Sequence, residues 1–184
     1  AVSFRKETRI LLITPSFEPG EYWDAIREGV QDAVDEYSDI DIHLESLSYD
    51  QFDKNDCHAV LNEATAREGV DAVILGPTFE KETVAFCNIL DGRKIPYVFV
   101  DSSMEGTSPL ATFTTDQFTC GRLLGKLDCA MTTPEAKIAV LESHRISDEQ
   151  SRNSRCRLDG LLSYMEERGN LSRIIDDKFY PMDP

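Results

Sequence analysis

The sequence predicts an α/β fold, a right-handed, doubly wound parallel sheet with helices between its strands. The first observation is a set of short apolar runs, such as 10–13, 70–76 and 95–100, which are typical of strands buried on both faces. The second is that amphipathic helical patterns separate these runs almost without interruption. Strands that alternate with helices of this length indicate parallel strands joined by crossover helices.

The elements follow one another from the apolar run 10–13, which breaks at Thr14-Pro15 into a polar loop. The helix predicted at 21–37 carries apolar residues at three- and four-residue steps, and residues 40–44 alternate as an edge strand does. In chain order, the remaining predicted helices are 51–68, 80–91, 117–131 and 151–168, and the remaining predicted strands are 70–76, 95–100, 110–115, 138–141 and 171–175.

The strand and helix pattern restarts after Thr132-Thr133-Pro134. Only two strands follow this point, and two strands are too few for a complete sheet. Either a second lobe is truncated, or these last strands extend the first sheet.

The composition excludes two classes of protein. The 184 residues carry 34 acidic and 19 basic side chains, and the formal net charge of −15 repels a nucleic-acid backbone. The densest basic cluster, Arg152, Arg155 and Arg157, is too small to form a DNA-binding face. No apolar run approaches the roughly 18 residues of a membrane span, so we expect no membrane partner.

The cysteines are odd in number and widely spaced, and most lie in apolar helical patterns. They form no CxxC pair and no Cys/His metal spacing, which argues against a disulfide framework and against a metal site. Free thiols favour a reducing compartment, and we therefore expect a cytoplasmic protein. The five residues are Cys57, Cys87, Cys120, Cys129 and Cys156.

The sequence contains no recognisable catalytic arrangement, and we predict that the protein is not an enzyme and holds no cofactor. The histidines His43, His58 and His144 lie in separate predicted elements. Ser143 precedes His144 at a strand end, but no G-x-S-x-G turn accompanies the pair. The glycine patterns that bind dinucleotides or phosphates are absent as well.

The carboxyl ends of the predicted strands offer a binding surface instead, because ligands of open parallel sheets lie in the crevice beyond these ends. Asp101 and Asp116 each follow a buried strand directly, where catalytic, phosphate-accepting and ligand-binding aspartates look alike. Ser102 and Gln117 add hydrogen-bonding groups beside them.

The loop after the first strand contains Ser16 and Glu18 and leads to two adjacent aromatic residues, Tyr22 and Trp23. Flat aromatic faces pack on sugar rings and on other planar ligands. Trp23 has an alternative role as the first core residue of its helix. Because adjacent helical residues do not share one face, one of the two aromatic side chains points elsewhere.

Several segments together resemble the effector-binding domain of the LacI/GalR family of bacterial transcription regulators and the related periplasmic sugar-binding proteins of the ribose-binding type. The similarity runs through essentially the whole chain, with the segments in the same order. The segments that carry it are LLITPSFEPGEYWDAIREGVQDAV, GVDAVILGP, KIPYVFVDSSM, FTTDQFTCGRLLGKL and SRCRLDGLLSYM.

The resemblance implies two similar lobes joined by crossing strands, with a small sugar-like effector held between them. It implies an N-terminal lobe at 10–116 and a crossing with a partial C-terminal lobe at 117–184. Residues 1–9 resemble the end of the family's hinge segment, which implies a linker after a DNA-binding headpiece that is absent from this chain. The predicted ligand-binding residues are Ser16, Glu18, Tyr22, Trp23, Asp101, Ser102, Asp116, Gln117 and Arg157.

Two functions agree with this resemblance. The favoured one is the effector domain of a regulator that forms a homodimer and contacts operator DNA only through the absent headpiece. The alternative is a periplasmic sugar-binding protein or the extracellular sensor domain of a histidine kinase. An enzyme on the same sheet is a third hypothesis, and the lack of a nucleophile–base pair argues against it.

Overall fold

The computed structural model describes residues 7–16, 20–37, 39–144 and 152–181, and it divides into two compact units. The first unit ends at Thr114 and the second begins at Thr115, two residues before the predicted lobe boundary. The first strand begins at Thr8, so the end of the predicted linker 1–9 belongs to the sheet. Residues 1–6 of that linker lie outside the described residues.

The first unit is a parallel sheet with helices between most of its strands, which confirms the predicted fold class. Five strands lie in the order β2-β1-β3-β4-β5, and all neighbours in the sheet are parallel. In chain order the elements are β1 (Thr8–Pro15), α1 (Tyr22–Glu36), β2 (Ile42–Tyr49), α2 (Lys54–Ala66), β3 (Ala72–Leu75), α3 (Glu80–Arg93), β4 (Tyr97–Val100) and β5 (Ala111–Phe113).

The middle strands of this sheet carry the hydrophobic core of the first unit. Ile13 of β1, Leu75 of β3 and Phe99 of β4 are almost completely buried. Phe86 and Leu90 of α3 belong to the same cluster. Burial of apolar surface stabilises the folded state by roughly 25 cal/mol per square ångström. The shared cluster therefore holds the three strands rigidly side by side. Their carboxyl ends are therefore fixed relative to one another.

The alternating run predicted at 40–44 does form an edge strand, but β2 starts at Ile42 and continues to Tyr49. The later residues of the strand are polar where they face solvent, at Ser46 and Ser48. Tyr49 turns inward and is only 1% exposed. The predicted strand ended at residue 44, five residues too early, because those serines interrupted the apolar pattern.

The second unit contains α4 (Gln117–Met131), β6 (Ile138–His144), α5 (Arg152–Glu167) and β7 (Ile174–Pro181), and its two strands are parallel. The strand predicted at 171–175 begins instead with a short 3-10 helix, Leu171–Arg173. Arg173 is buried, and its guanidinium donates to Asp128 Oδ2 (2.8 Å) and to the Ala136 carbonyl (2.9 Å). This side chain ties the end of α4 to the start of β7.

Helices α4 and α5 meet through glycines. A Cβ atom on Gly121 would overlap the backbone carbonyl of Arg157, and one on Gly160 would overlap that of Phe118. The two backbones therefore approach more closely than any other residue type permits. The apolar stripe of α4 lies elsewhere and is half-exposed; it comprises Leu123, Leu124 and Leu127.

Replacing Gly160 with Ala should destabilise the second unit by about 1–3 kcal/mol, because the added methyl group forces the two helices apart. The free energy of unfolding in urea, followed by circular dichroism, measures this effect. The matched control is Gly29→Ala on α1, where nothing lies within 4 Å of the added Cβ. That control should leave stability unchanged or raise it by about 0.5–1 kcal/mol, and equal losses in the two variants would contradict the close crossing.

Candidate functional site

Asp101 follows β4 directly and adopts a backbone conformation that is rare outside glycine. Its φ angle is +71°, in the left-handed region. Its N–H donates to the Phe113 carbonyl (2.8 Å), and its own carbonyl accepts a hydrogen bond from the Thr114 hydroxyl. Such strain persists only where neighbours hold it, and it concentrates at ligand-binding sites. The end of β4 is therefore the starting point for the candidate site.

Two hydroxyl groups orient the carboxylate of Asp101. The Tyr22 hydroxyl donates to Oδ1 (2.7 Å), and the Ser102 hydroxyl donates to Oδ2 (2.8 Å). A carboxylate has about four lone-pair positions, so each oxygen can accept a further hydrogen bond. The arrangement presents an oriented hydrogen-bond acceptor at the carboxyl edge of the sheet. The assignment of Asp101 as a ligand residue stays a prediction.

Tyr22 and Trp23 point in different directions from the start of α1. Their rings meet edge to face, with centroids 5.2 Å apart and an interplanar angle of 84°. The indole of Trp23 covers Gly76 so closely that a Cβ there would lie 2.6 Å from it. The Tyr22 side chain is 60% exposed and reaches Asp101. Trp23 therefore packs on the end of β3, while Tyr22 presents an open aromatic face beside the carboxylate.

Ser16 lies at the end of β1, and its hydrogen bonds are made within the sheet edge. Both its N–H (2.7 Å) and its hydroxyl (3.0 Å) donate to the Tyr49 carbonyl of β2. Ser16 thus joins two neighbouring strand ends. Glu18, the other residue predicted in this loop, lies outside the described residues.

Tyr49 is a positioning residue that the sequence prediction missed. Its buried hydroxyl donates to the Gly76 carbonyl (2.6 Å) and also bonds to the Thr78 hydroxyl (2.6 Å). It therefore fixes the turn after β3, on which Trp23 packs. The available signal was an aromatic residue two positions after Leu47, where it continues the inward alternation of β2. Its partners are 27 and 29 residues away in the chain.

The second unit brings two predicted ligand residues together. Arg157 on α5 donates from Nε to the side-chain oxygen of Gln117 (3.0 Å) and from Nη2 to the same atom. The glycine-mediated approach of α4 and α5 makes this contact possible. The guanidinium of Arg157 has five N–H donors, so Nη1 and the second N–H of Nη2 can donate further hydrogen bonds.

Asp116 has a structural role at the start of α4. Its Oδ1 accepts from the Thr119 N–H (2.9 Å) and its Oδ2 from the Thr119 hydroxyl (2.8 Å), which is the geometry of a helix N-cap. The backbone N–H of Thr119 is the main cause that lowers the pKa of Asp116 below its ordinary value. Its assignment as a ligand residue stays a prediction.

The first unit holds an oriented carboxylate beside an exposed aromatic ring. The second unit, taken by itself, holds a guanidinium–amide pair. This chemistry suits a neutral molecule rich in hydroxyl groups, because carboxylates accept and guanidinium groups donate hydrogen bonds. Among the described residues, no group of three or more His, Cys, Asp or Glu side chains is placed to hold a metal ion. No helix there is long and apolar enough to cross a membrane.

A separate cavity of about 480 Å³ lies at the opposite edge of the first sheet, beside the last turns of α2 and α3. Arg93 donates there to the Thr65 carbonyl (2.6 Å), and Arg67 pairs with Glu45 (2.6 Å) and Glu63 (2.5 Å). The positive charge of Arg67 is thus already paired with the carboxylates of Glu45 and Glu63. We place the candidate site at the Asp101 edge because its polar groups converge there.

The Tyr22–Asp101 hydrogen bond should be visible as an altered titration of the phenol. Partial burial and then the bond to Asp101 raise the pKa of Tyr22 to about 12. Because this value lies above the ordinary 10.0, Tyr22 stabilises the fold fully below about pH 10, and that stabilisation is lost as the pH rises toward 12. Asp101→Asn should shift the titration toward 10.0, as measured by NMR of 13Cζ-labelled tyrosine.

Tyr97 provides an internal control for this titration. Burial also raises its pKa to about 12, but its hydroxyl accepts from the Ser108 N–H and does not contact Asp101. Asp101→Asn should therefore leave the Tyr97 titration in place. A Tyr22 titration that stays at about 12 in the variant would contradict a contribution of Asp101 to this pKa.

Solved structures share this fold. The chain is similar to a candidate LacI transcriptional regulator from Bacteroides fragilis, with 25% identity and a TM-score of 0.83 over 96% of this chain and 61% of that one. It is also similar to GanP, a glucose-galactose binding protein from Geobacillus stearothermophilus, with 20% identity and a TM-score of 0.72 over 96% and 58%. A periplasmic solute-binding protein from Actinobacillus succinogenes with bound D-allose matches with 19% identity and a TM-score of 0.69 over 95% and 58%.

The chain therefore spans about three fifths of the length of these structures. A comparison with curated protein sequences finds no significant match. The family model described as a periplasmic binding protein domain matches residues 10–182, which is nearly the whole chain. Together with the parallel sheet and the polar groups at its carboxyl edge, this match shows that the chain belongs to the periplasmic binding protein domain family.

Proposed function

We propose that this chain is the ligand-sensing part of a LacI-type transcription regulator and that it binds a small, sugar-like effector. The observation that carries the proposal is the hydrogen-bonded edge formed by Tyr22, Asp101 and Ser102. A buried or half-buried carboxylate discriminates sharply between ligands that offer a hydroxyl group and ligands that lack it. The exposed ring of Tyr22 supplies an apolar face for a sugar ring.

Arg157 and Gln117 support the same class of ligand. Their hydrogen bond orients a guanidinium that can donate to hydroxyl oxygens. Preorganised groups of this kind bind more tightly because less side-chain freedom is lost on binding. Similar chains named as binding glucose and galactose, or solved with bound D-allose, are consistent with a sugar as the ligand.

Two observations support a regulator. The similar LacI regulator combines 25% identity with a TM-score of 0.83. Cys87, Cys120, Cys129 and Cys156 are present as thiols, which is usual in a reducing compartment such as the cytoplasm. In this proposal the protein is a homodimer, and it contacts operator DNA through a headpiece outside residues 1–184. The effector acts by binding one of two conformational states more tightly.

The alternative function is that of a periplasmic sugar-binding protein or of the extracellular sensor domain of a histidine kinase. The similar structures of GanP and of the D-allose-bound protein favour it, because these proteins have the same fold. The two functions differ in one measurable property, which is sequence-specific binding of DNA.

Selection of genomic DNA fragments on the full-length protein, followed by mobility-shift titration, separates the two functions. A regulator should retain specific fragments, and the sugar that stabilises the protein in a thermal-shift screen should change the DNA affinity about fivefold or more. Sugar binding without any specific DNA binding would favour the transport or kinase-sensor function instead.

Affinity for the best sugar in such a screen should fall by about tenfold or more in each of two variants, Tyr22→Ala and Asp101→Asn. The first removes the aromatic face, and the second replaces a charged acceptor whose hydrogen bonds contribute about 1.5–3 kcal/mol. Isothermal titration calorimetry on the full-length protein gives the dissociation constants.

The matched controls lie at the other end of α1. Tyr37→Ala changes an exposed tyrosine and Asp39→Asn an exposed aspartate, and both are about a helix length from the candidate site. Both controls should bind the sugar as the unaltered protein does. Unchanged affinity in Tyr22→Ala and Asp101→Asn would refute the assignment of the site.

A further inference from the structure

Asp24 is the only buried carboxylate among the described residues of this strongly acidic chain. It lies on the first turn of α1 and is 6% exposed. Burial of a carboxylate is unfavourable unless hydrogen bonds or opposite charges compensate for it. Asp24 lies next to Tyr22 and Trp23, so its buried charge is placed to hold the start of α1 in position.

Both oxygens of Asp24 have defined partners. Oδ2 accepts from the backbone N–H of Gly20 (2.8 Å), and Oδ1 accepts from Nη2 of Arg27 (2.7 Å). Gly20 has a φ angle of +84°, which other residues adopt only with strain. The residue at the N-cap of α1, Glu21, makes no capping hydrogen bond with its side chain. Asp24 is the third residue of α1, the position that a capping box uses, but it accepts from Gly20, the residue before the N-cap, and so fixes the entry into α1 from within the helix.

We propose that Asp24 is a positioning residue for ligand binding, which holds Tyr22 against Asp101 by fixing the turn at Gly20. This inference rests on the proposed function, because Tyr22 and Asp101 are the groups that would contact the ligand. The class of ligand is the same hydroxyl-rich molecule. In addition, Asp24 sets the geometry of the site, although its carboxylate is turned away into the protein.

The chain connectivity supports this role. Tyr22 lies midway between Gly20 and Asp24, so the 2.8 Å bond between these two residues closes a short loop around it. The direction of the first helical turn then determines where the phenol points, and it meets Asp101 at 2.7 Å. On the other side, Trp23 rests on Gly76. A change of direction at Gly20 would move both aromatic rings together.

The charge of Asp24 is stable near neutral pH. The hydrogen bond from Gly20 and then the contact with Arg27 lower the pKa of Asp24 below its ordinary value. Arg27 is the cationic group that faces the carboxylate, at 2.7 Å. The lowered pKa favours the ionised carboxylate near neutral pH, and this form accepts the hydrogen bond from Gly20.

The test compares Asp24→Ala with Asp32→Ala in the full-length, ligand-free protein. Asp32 lies on the same helix but is exposed, so its replacement should change nothing at the site. In Asp24→Ala, the pKa of Tyr22 should fall from about 12 toward 10.0 as its contact with Asp101 loosens. The Tyr22 resonance is identified by its absence from Tyr22→Phe. Affinity for the sugar should fall roughly tenfold, the loss of about one hydrogen bond.

Gly20→Ala is the second variant and decides the matter if Asp24→Ala does not fold. It keeps the carboxylate but strains the turn, so it should lower the pKa of Tyr22 in the same direction. A Tyr22 titration that stays at about 12 in either folded variant would overturn the inference. Because this readout needs no ligand, it is separate from the proposed function, which fails if Tyr22→Ala and Asp101→Asn do not weaken sugar binding.

Discussion

The turn at Asp101 is the constraint on which the candidate site depends. A non-glycine residue remains at a φ of +71° only because the contacts from Phe113 and Thr114 hold its peptide groups. That conformation places the carboxylate within reach of the hydroxyls of Tyr22 and Ser102. Without the turn, the Asp101 side chain would continue the alternation of the strand and project from one face of the sheet.

The sheet behind this turn provides the rigidity that the site requires. Strands β1, β3 and β4 are buried in one cluster, so their ends cannot move independently. Tyr49 adds a polar tie between β2 and the turn after β3. Gly76 in that turn leaves the space that the indole of Trp23 fills. Apolar burial thus fixes the strands, and a few hydrogen bonds fix the loops that follow them.

The second unit achieves the same result by a different means. There, two helices approach through glycines, and the short distance between their backbones lets Arg157 bond to Gln117. The N-cap at Asp116 fixes the start of the helix that carries Gln117. In each unit, hydrogen bonds within the protein orient the polar groups, and preorganisation of this kind reduces the entropic cost of binding a ligand.

The sequence alone determined the α/β class, the order of the elements and the position of Asp101 at a strand end, because hydrophobic periodicity reports burial along a single element. It did not determine that Tyr22 rather than Trp23 faces Asp101, because the two partners are 79 residues apart. It also missed the role of Tyr49, whose hydroxyl bonds to Gly76 in the turn after β3, 27 residues away in the chain. Such contacts exist only once the sheet is assembled, and so only the tertiary structure decided them.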